Sequence, residues 1–221
     1  MPRKKSSTAW TETFLLPGMA ELAERIGAIE AEVGRLRAEA GALCRDLGAA
    51  QRMRDVLLAG QGTPLVEAAT RALAELFAGV GLKVVKADRT DGLAVRHGNH
   101  VVAAVTVRGT LSQARLADVR RLQGLLDAVR PPSGKAIKGI LIANAERRKD
   151  PRERAVAPFV PIAVRAAQAQ NMCLLTTIQL FNMVSDLRRS AGADVRALWE
   201  DVRATAGPYH KFNDWNQTVR T

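Results

Sequence analysis

The sequence predicts an α/β domain preceded by a long coiled-coil helix, on three observations. Apolar residues recur at alternating spacings of four and three from Leu22 onward. Two apolar strand candidates flank Gly98-Asn99, a favoured two-residue hairpin turn. The back half then interleaves helical periodicity with the buried-type runs IKGILIANA and MCLLTT. With 221 residues, 47% apolar and 25% charged, the chain can bury one good core, so one domain with an appendage is expected.

The first element is the heptad stretch. Leu22, Ile29, Leu36 and Leu43 fall at d positions, and Ile26, Val33, Ala40 and Leu47 at a positions, a period of 3.5 that Ala50 and, after a polar interruption at Arg54, Leu57 continue. β-branched a residues with mostly Leu at d lean toward a parallel dimer. The flanking residues, among them Glu24, Arg25, Glu30, Glu32, Arg35, Arg37 and Glu39, carry mixed charges that suit a solvated flank. The competing reading is one long helix folded back on its own domain, but a stripe two positions wide per heptad is narrower than a core-packed face requires. Gly27, Gly34, Gly41 and Gly48 recur on the outer face, and each weakens the helix by up to about 1 kcal/mol relative to Ala. A partner helix would supply the missing burial.

Beyond the break AGQGT, Thr63 reads as an N-cap with Pro64 at the first helical position, opening a helix that ends near Gly79 or Gly81. Strands are expected at 82–87, 91–97 and 100–108, a helix over about 112–129, a buried strand at 137–145, a helix at roughly 157–169, a strand in MCLLTT and a helix in IQLFNMVSDLRR. A short helix carrying Leu198, Trp199 and Val202 follows Asp194. The expected divisions are a basic arm at 1–17, the coiled coil at 18–58, the α/β domain at 59–190 and a C-terminal helix and tail at 191–221.

A net charge of +11 favours polyanions, nucleic acid ahead of acidic lipid surfaces. The longest apolar runs fall short of the roughly 18–20 residues that span a bilayer, and no signal-type stretch follows MPRKKSST, so a cytoplasmic protein without a membrane partner is expected. Cys44 and Cys173 read as reduced core or seam residues, since neither has a second thiol at metal spacing. His97 and His100 flank the hairpin without a third ligand nearby and read as solvent-facing.

The order helix, three strands, helix, strand, helix, strand, helix resembles the PD-(D/E)XK superfamily, the restriction-endonuclease-like fold. The segment LLAGQGTPLVEAATRALAEL, with Glu67 in the place of a first-helix acid, carries part of the resemblance. So do IKGILIANAERRKDPRER, in which a buried strand ends in Asn and a Pro-x-x-Arg turn follows, the pair Pro158-Phe159, and LLTTIQLF. It implies a restriction-endonuclease-like core. In active members an Asp opening the second strand and a Glu-x-Lys pair on the third hold a divalent metal that polarises the phosphoryl group and activates water.

On that resemblance Asp91 takes the place of the Asp, and Glu-x-Lys-Gly falls on Thr106-Val107-Arg108-Gly109. Strand alternation puts Thr106 and Arg108 on one face, with Ala104 and Val102 behind them. The chemistry departs from the pattern, because Thr is a neutral, weak ligand and Arg cannot act as a base at neutral pH. Glu67 and Asp88 are the nearest replacement acids, and Gln123 matches a glutamine that often lines the cleft in similar proteins. Arg115, Arg120 and Arg121 on the following helix and the basic loop of Arg147, Arg148, Lys149, Arg152 and Arg154 are candidate phosphate contacts, the loop also reading as a solvated turn offset by Glu146, Asp150 and Glu153. Tyr209, Phe212 and Trp215 read either as base-stacking rings or as anchors of the tail.

The resulting expectation is a non-catalytic nuclease-like domain that binds nucleic acid, DNA first, or a nucleotide-type anionic ligand, as a coiled-coil dimer. It needs no cofactor. The enzyme alternative is a divergent nuclease dependent on Mg or Mn, using Glu67 and Asp91. A second alternative is a subunit of a larger protein assembly.

Overall fold

The computed structural model describes residues 16–87, 92–130, 136–190 and 194–213. The protein is α/β, and the chain divides into two compact units, residues 1–50 and 51–221. Asp88, Asp91, Trp215 and residues 1–15 of the expected arm at 1–17 lie outside the described residues.

Helix α1 spans Met19–Ala59. Its Leu22, Ile26, Ile29, Val33, Leu36, Leu43 and Leu47 are all exposed, between 38% and 63%. These are seven of the ten expected stripe positions; Ala40 is exposed too and Ala50 is half-buried, but Leu57 is 0% exposed and belongs to the core of the second unit, so the exposed stripe ends at Leu47 and does not run on to residue 58 as expected. No helix among the described residues is long and apolar enough to cross a membrane.

The second unit is built on a mixed six-stranded sheet in the order β1-β2-β3-β4-β5-β6. Strands β1 (Leu82–Lys86), β2 (Leu93–His97) and β3 (His100–Gly109) form an antiparallel meander. Strands β4 (Lys138–Asn144), β5 (Cys173–Thr176) and the two-residue β6 (Gly207–Pro208) continue it in parallel. His97 pairs with His100, so Gly98-Asn99 is the two-residue loop expected, and Gly98 takes φ 57°, open to glycine without strain.

Helices α2 (Gly62–Phe77), α5 (Thr177–Arg189) and α6 (Val195–Ala204) pack on one face of the sheet, against Ala103, Val105, Val107, Ile140 and Ile142. Helices α3 (Leu116–Val129) and α4 (Pro161–Ala169) cover the other, against Ala94, Ala104, Leu141, Ala143 and Leu174. Alternation along β4 explains the division, since its seven residues are all buried and point to the two cores in turn. Arg188 bridges α5 to α2 by a two-pronged bond to Glu75, at 2.6 and 2.8 Å.

Several boundaries differ from the sequence reading. Helix α2 starts at Gly62 instead of being capped by Thr63; Gln61 precedes it in an extended conformation and no side chain caps the end. Helix α3 starts at Leu116 and α4 at Pro161, both later than expected, because Ala114 and Phe159 form a parallel bridge, with Ala114 N–H donating to Pro158 O at 2.9 Å. The face assigned to Val102 is corrected as well. Val95 pairs with Ala103 but Arg96 pairs with Val101, so Val102 is an extra residue in β3. The bulge turns Val102 to the α2 side with Ala103, whereas Ala104 stays on the α3 side.

Candidate functional site

An open cleft of about 740 Å³ lies where the start of α2 meets the ends of β1 and β3 and the beginning of β2. Gln61, Gly62, Thr63, Pro64 and Val66 form one wall, and Lys86, Gly92, Val107, Arg108 and Gly109 the other. Among the described residues of its lining the charged ones are Lys86 and Arg108, both cations. Gly109 permits the close approach of the walls, since a Cβ there would sit 2.8 Å from Gly60 O and 3.0 Å from Gln61 Cα. The expected strand thus does end at this cleft.

Arg108 is not a lone charge. Its Nε donates to Asp118 Oδ1 at 3.3 Å, and the other oxygen of Asp118 accepts the Arg115 backbone N–H at 2.9 Å at the start of α3. The Asp118 side chain is 11% exposed and that of Arg108 40%, so the pair holds the guanidinium at Nε and leaves part of the Arg108 side chain wettable. Sequence reasoning missed Asp118 because it sought acids on strands; the available signal was an acid three residues after Arg115, the N3 position of a helix start. Thr106 is 6% exposed and its hydroxyl has no hydrogen-bond partner among the described residues.

The other candidates disperse. Glu67 is solvent-exposed on α2, the helix that covers the face opposite Ala104, and does not line the cleft. Gln123 donates to Asp127 of its own helix at 3.1 Å and is also outside the lining. Arg115, Arg120 and Arg121 are exposed on or beside α3. His97 and His100 are exposed at the hairpin.

In the loop after β4, Lys149 pairs with Glu146 at 2.6 Å and Arg152 with Asp150 at 2.7 Å. The Ala155 backbone N–H, with Lys149, holds the Glu146 carboxyl below the usual range, and Arg152 brings Asp150 down to about 2. Arg148 is exposed, and Arg147 is part-buried with no partner for its Nε among the described residues. Arg154 turns inward. Its guanidinium donates to Asn144 Oδ1 at 2.7 Å, to Lys149 O at 3.2 Å and to Leu58 O, while Asn144 Nδ2 donates to Gly60 O at 3.0 Å. The strand-ending Asn and the Arg of Pro151-x-x-Arg154 therefore meet, and together they fasten the α1–α2 junction that leads into the cleft wall.

The described residues offer no donor set for a divalent metal of the nuclease type, and Asp91 lies outside them. The β3 positions offer a hydroxyl and a guanidinium, and no group of three or more His, Cys, Asp and Glu that could hold an ion occurs among the described residues. Tyr209 is buried and Phe212 packs against the α2-side core, with Gln179 Nε2 donating to Tyr209 O at 2.7 Å and Asn182 Nδ2 to Phe212 O at 2.9 Å. These two rings dock the segment after α6. The sequence matches no protein-family model and none of the curated proteins.

Proposed function

We propose that the chain is a non-catalytic domain of restriction-endonuclease-like type that binds nucleic acid, or a nucleotide-type anionic ligand, as a dimer formed through α1. The observation that carries this reading is the cleft, whose charged lining among the described residues is Lys86 and Arg108, at the strand end where the resemblance would put the catalytic pair. The order of elements from α2 to α5, with only the second strand of the first five antiparallel to its neighbours, supports the nuclease-like core. The uncapped start of α2 adds amide N–H groups to a wall of the same cleft. The exposed seam of α1 supports self-association.

The test is fluorescence anisotropy with labelled duplex and single-stranded DNA over a salt series. No base-reading motif is present in the sequence, so affinity should rest on phosphate contacts and depend weakly on base sequence. If each chain of a dimer neutralises about three to five phosphates, log affinity should fall against log salt with a slope of roughly −5 to −9. Lys86→Ala with Arg108→Gln should flatten that slope more than Arg120→Ala with Arg121→Ala. Absence of binding at low salt would defeat the nucleic-acid reading, and cleavage with Mg or Mn that is lost in Asp91→Ala would replace it with the enzyme reading.

A further inference from the structure

Between Leu22 and Leu47, ahead of Arg54 at the next a position, the seam of α1 has no polar a residue, so these apolar layers alone would tolerate slippage and reversal. Alignment has to come from the flanks. With Leu22, Ile29, Leu36 and Leu43 at d, the g positions are Arg25, Glu32, Glu39 and Asp46, and the e positions include Glu30, Arg37 and Cys44. All of these are exposed.

In a parallel, in-register pair each g residue faces the e residue five positions on in the other helix. Arg25 then meets Glu30 of the second copy and Glu32 meets Arg37 of the second copy, each contact occurring twice by symmetry. Glu39 and Asp46 face the uncharged Cys44 and Gln51, so no like-charge contact arises. A slip of one heptad keeps one favourable contact, Glu39 with Arg37, but sets Arg25 against Arg37 and Glu32 against Glu30. Reversing one helix while overlapping the same core layers keeps two favourable contacts, Arg25 with Asp46 and Glu30 with Arg37, but sets Glu32 against Glu39.

From this we infer that the partner of α1 is a second copy of this chain, in parallel and in register, with Arg25–Glu30 and Glu32–Arg37 contacts selecting that alignment. The inference rests on the dimer reading above and adds its orientation and register. Glu32 already accepts from Arg35 of its own helix at 2.6 and 2.9 Å, and Arg35 also reaches Glu39 at 3.4 Å. These bonds hold the Glu32 carboxyl below the usual range, so it is charged where the second helix arrives.

The test uses the full chain and two charge-conserving double variants. Glu30→Arg with Arg37→Glu inverts the e flank, and Arg25→Glu with Glu32→Arg inverts the g flank. Each variant alone sets all four contacts like against like in the parallel pair, so each homodimer should dissociate at least about tenfold more readily than the wild type at low salt. Mixed, they restore all four contacts, and energy transfer between donor and acceptor dyes on Cys44 should report a heterodimer of near wild-type affinity. Cys44 is exposed and Cys173 buried, so the dyes go to one site.

In the reversed pair, by contrast, the e-flank variant keeps arginine opposite glutamate and should dimerise as the wild type does. Spin labels at Glu21→Cys in a Cys44→Ser chain give the orientation directly. They should lie within about 20 Å of each other in the parallel pair, from the 8–10 Å spacing of packed helices plus the label arms, and roughly 40 Å apart in the reversed one, from a 1.5 Å rise per residue. A wild-type monomer at tens of micromolar by sedimentation equilibrium would overturn the dimer reading and this inference together. A wild-type dimer whose e-flank variant is undiminished, or whose variants fail to complement, would overturn the inference alone.

Discussion

Arg154→Met tests whether the junction between α1 and α2 is held from the loop after β4. Methionine keeps an unbranched apolar stem and removes the guanidinium, so packing is largely conserved while donors to three acceptors disappear: Asn144 Oδ1, Lys149 O and Leu58 O. Asn144 is 0% exposed and Leu58 half-buried, so water replaces those bonds poorly. With a buried orphan acceptor costing about 1–3 kcal/mol, one buried and one part-buried acceptor give an expected loss of about 2–4 kcal/mol. That is a large share of the roughly 5–15 kcal/mol typical of a domain. Urea unfolding followed by Trp199 fluorescence, in a Trp10→Phe, Trp215→Phe chain, reports this unit, because Trp199 is buried edge-on against Phe77 at 5.1 Å. Arg152→Met is the control; Arg152 pairs with Asp150 on the surface, and its loss should stay within about 0.5 kcal/mol. Equal losses for the two variants would refute the clamp.

Thr106→Val deletes a buried hydroxyl without a partner and should leave stability unchanged or raise it by up to about 1 kcal/mol, against which a clear loss in the same urea assay would count. Gly109→Ala should cost about 1–3 kcal/mol, because the added carbon meets backbone at Gly60 and Gln61 that cannot yield cheaply; an unchanged midpoint would contradict that. Gly27→Ala with Gly34→Ala should strengthen α1 by up to about 1 kcal/mol per site, as both positions face open space, and circular dichroism melting that shows no gain would argue against it. Burial pushes the Cys173 thiol and the Tyr209 phenol each up to about 12. Both remain protonated in the folded chain while the unfolded chain releases their protons from about pH 9 to 10, so stability should be full below that range and fall as pH rises toward 12. Burial lowers Lys138 and opposes this trend, so the sharper readout is Cys173→Ala, which should shrink the drop in urea midpoint between pH 8 and pH 10.5.

What was legible in the sequence was whatever repeats with a period. The seam of α1, the apolar face of α2 and the Gly98-Asn99 hairpin all announce themselves locally, because their signals lie within a few residues. The Val102 bulge does not, since HVVAAVTVR is apolar on both faces and a one-residue slip leaves no polar mark. Strand β6 is two residues containing a proline, too short to show alternation. At the site, Arg108 and Gly109 were legible from their place on the strand, but Lys86 was not singled out and Asp118 was missed, because their roles depend on how β1 and α3 converge on the end of β3. Asn144 was noticed as part of a pattern without a role, and Arg154 was read as a candidate phosphate contact, whereas its guanidinium turns inward to Asn144 and Leu58 O. Their bond closes a loop, and its physical reason lies in carbonyls of a junction far away in sequence.

Strand β3 is the one place in the sheet where pairing changes kind, antiparallel to β2 on one edge and parallel to β4 on the other. The two edges differ in the chain entropy needed to form them. The β2–β3 ladder closes through a two-residue loop, whereas β4 and β5 can add only after α3 and α4 have crossed over. Assembly should therefore begin at the hairpin and spread toward β5 and β6, with the Val102 bulge setting the twist on which later strands are laid. Substitutions at Val95 or Ala103 would then slow refolding, and those at Leu174 would chiefly hasten unfolding, a division that chevron kinetics would reveal or refuse.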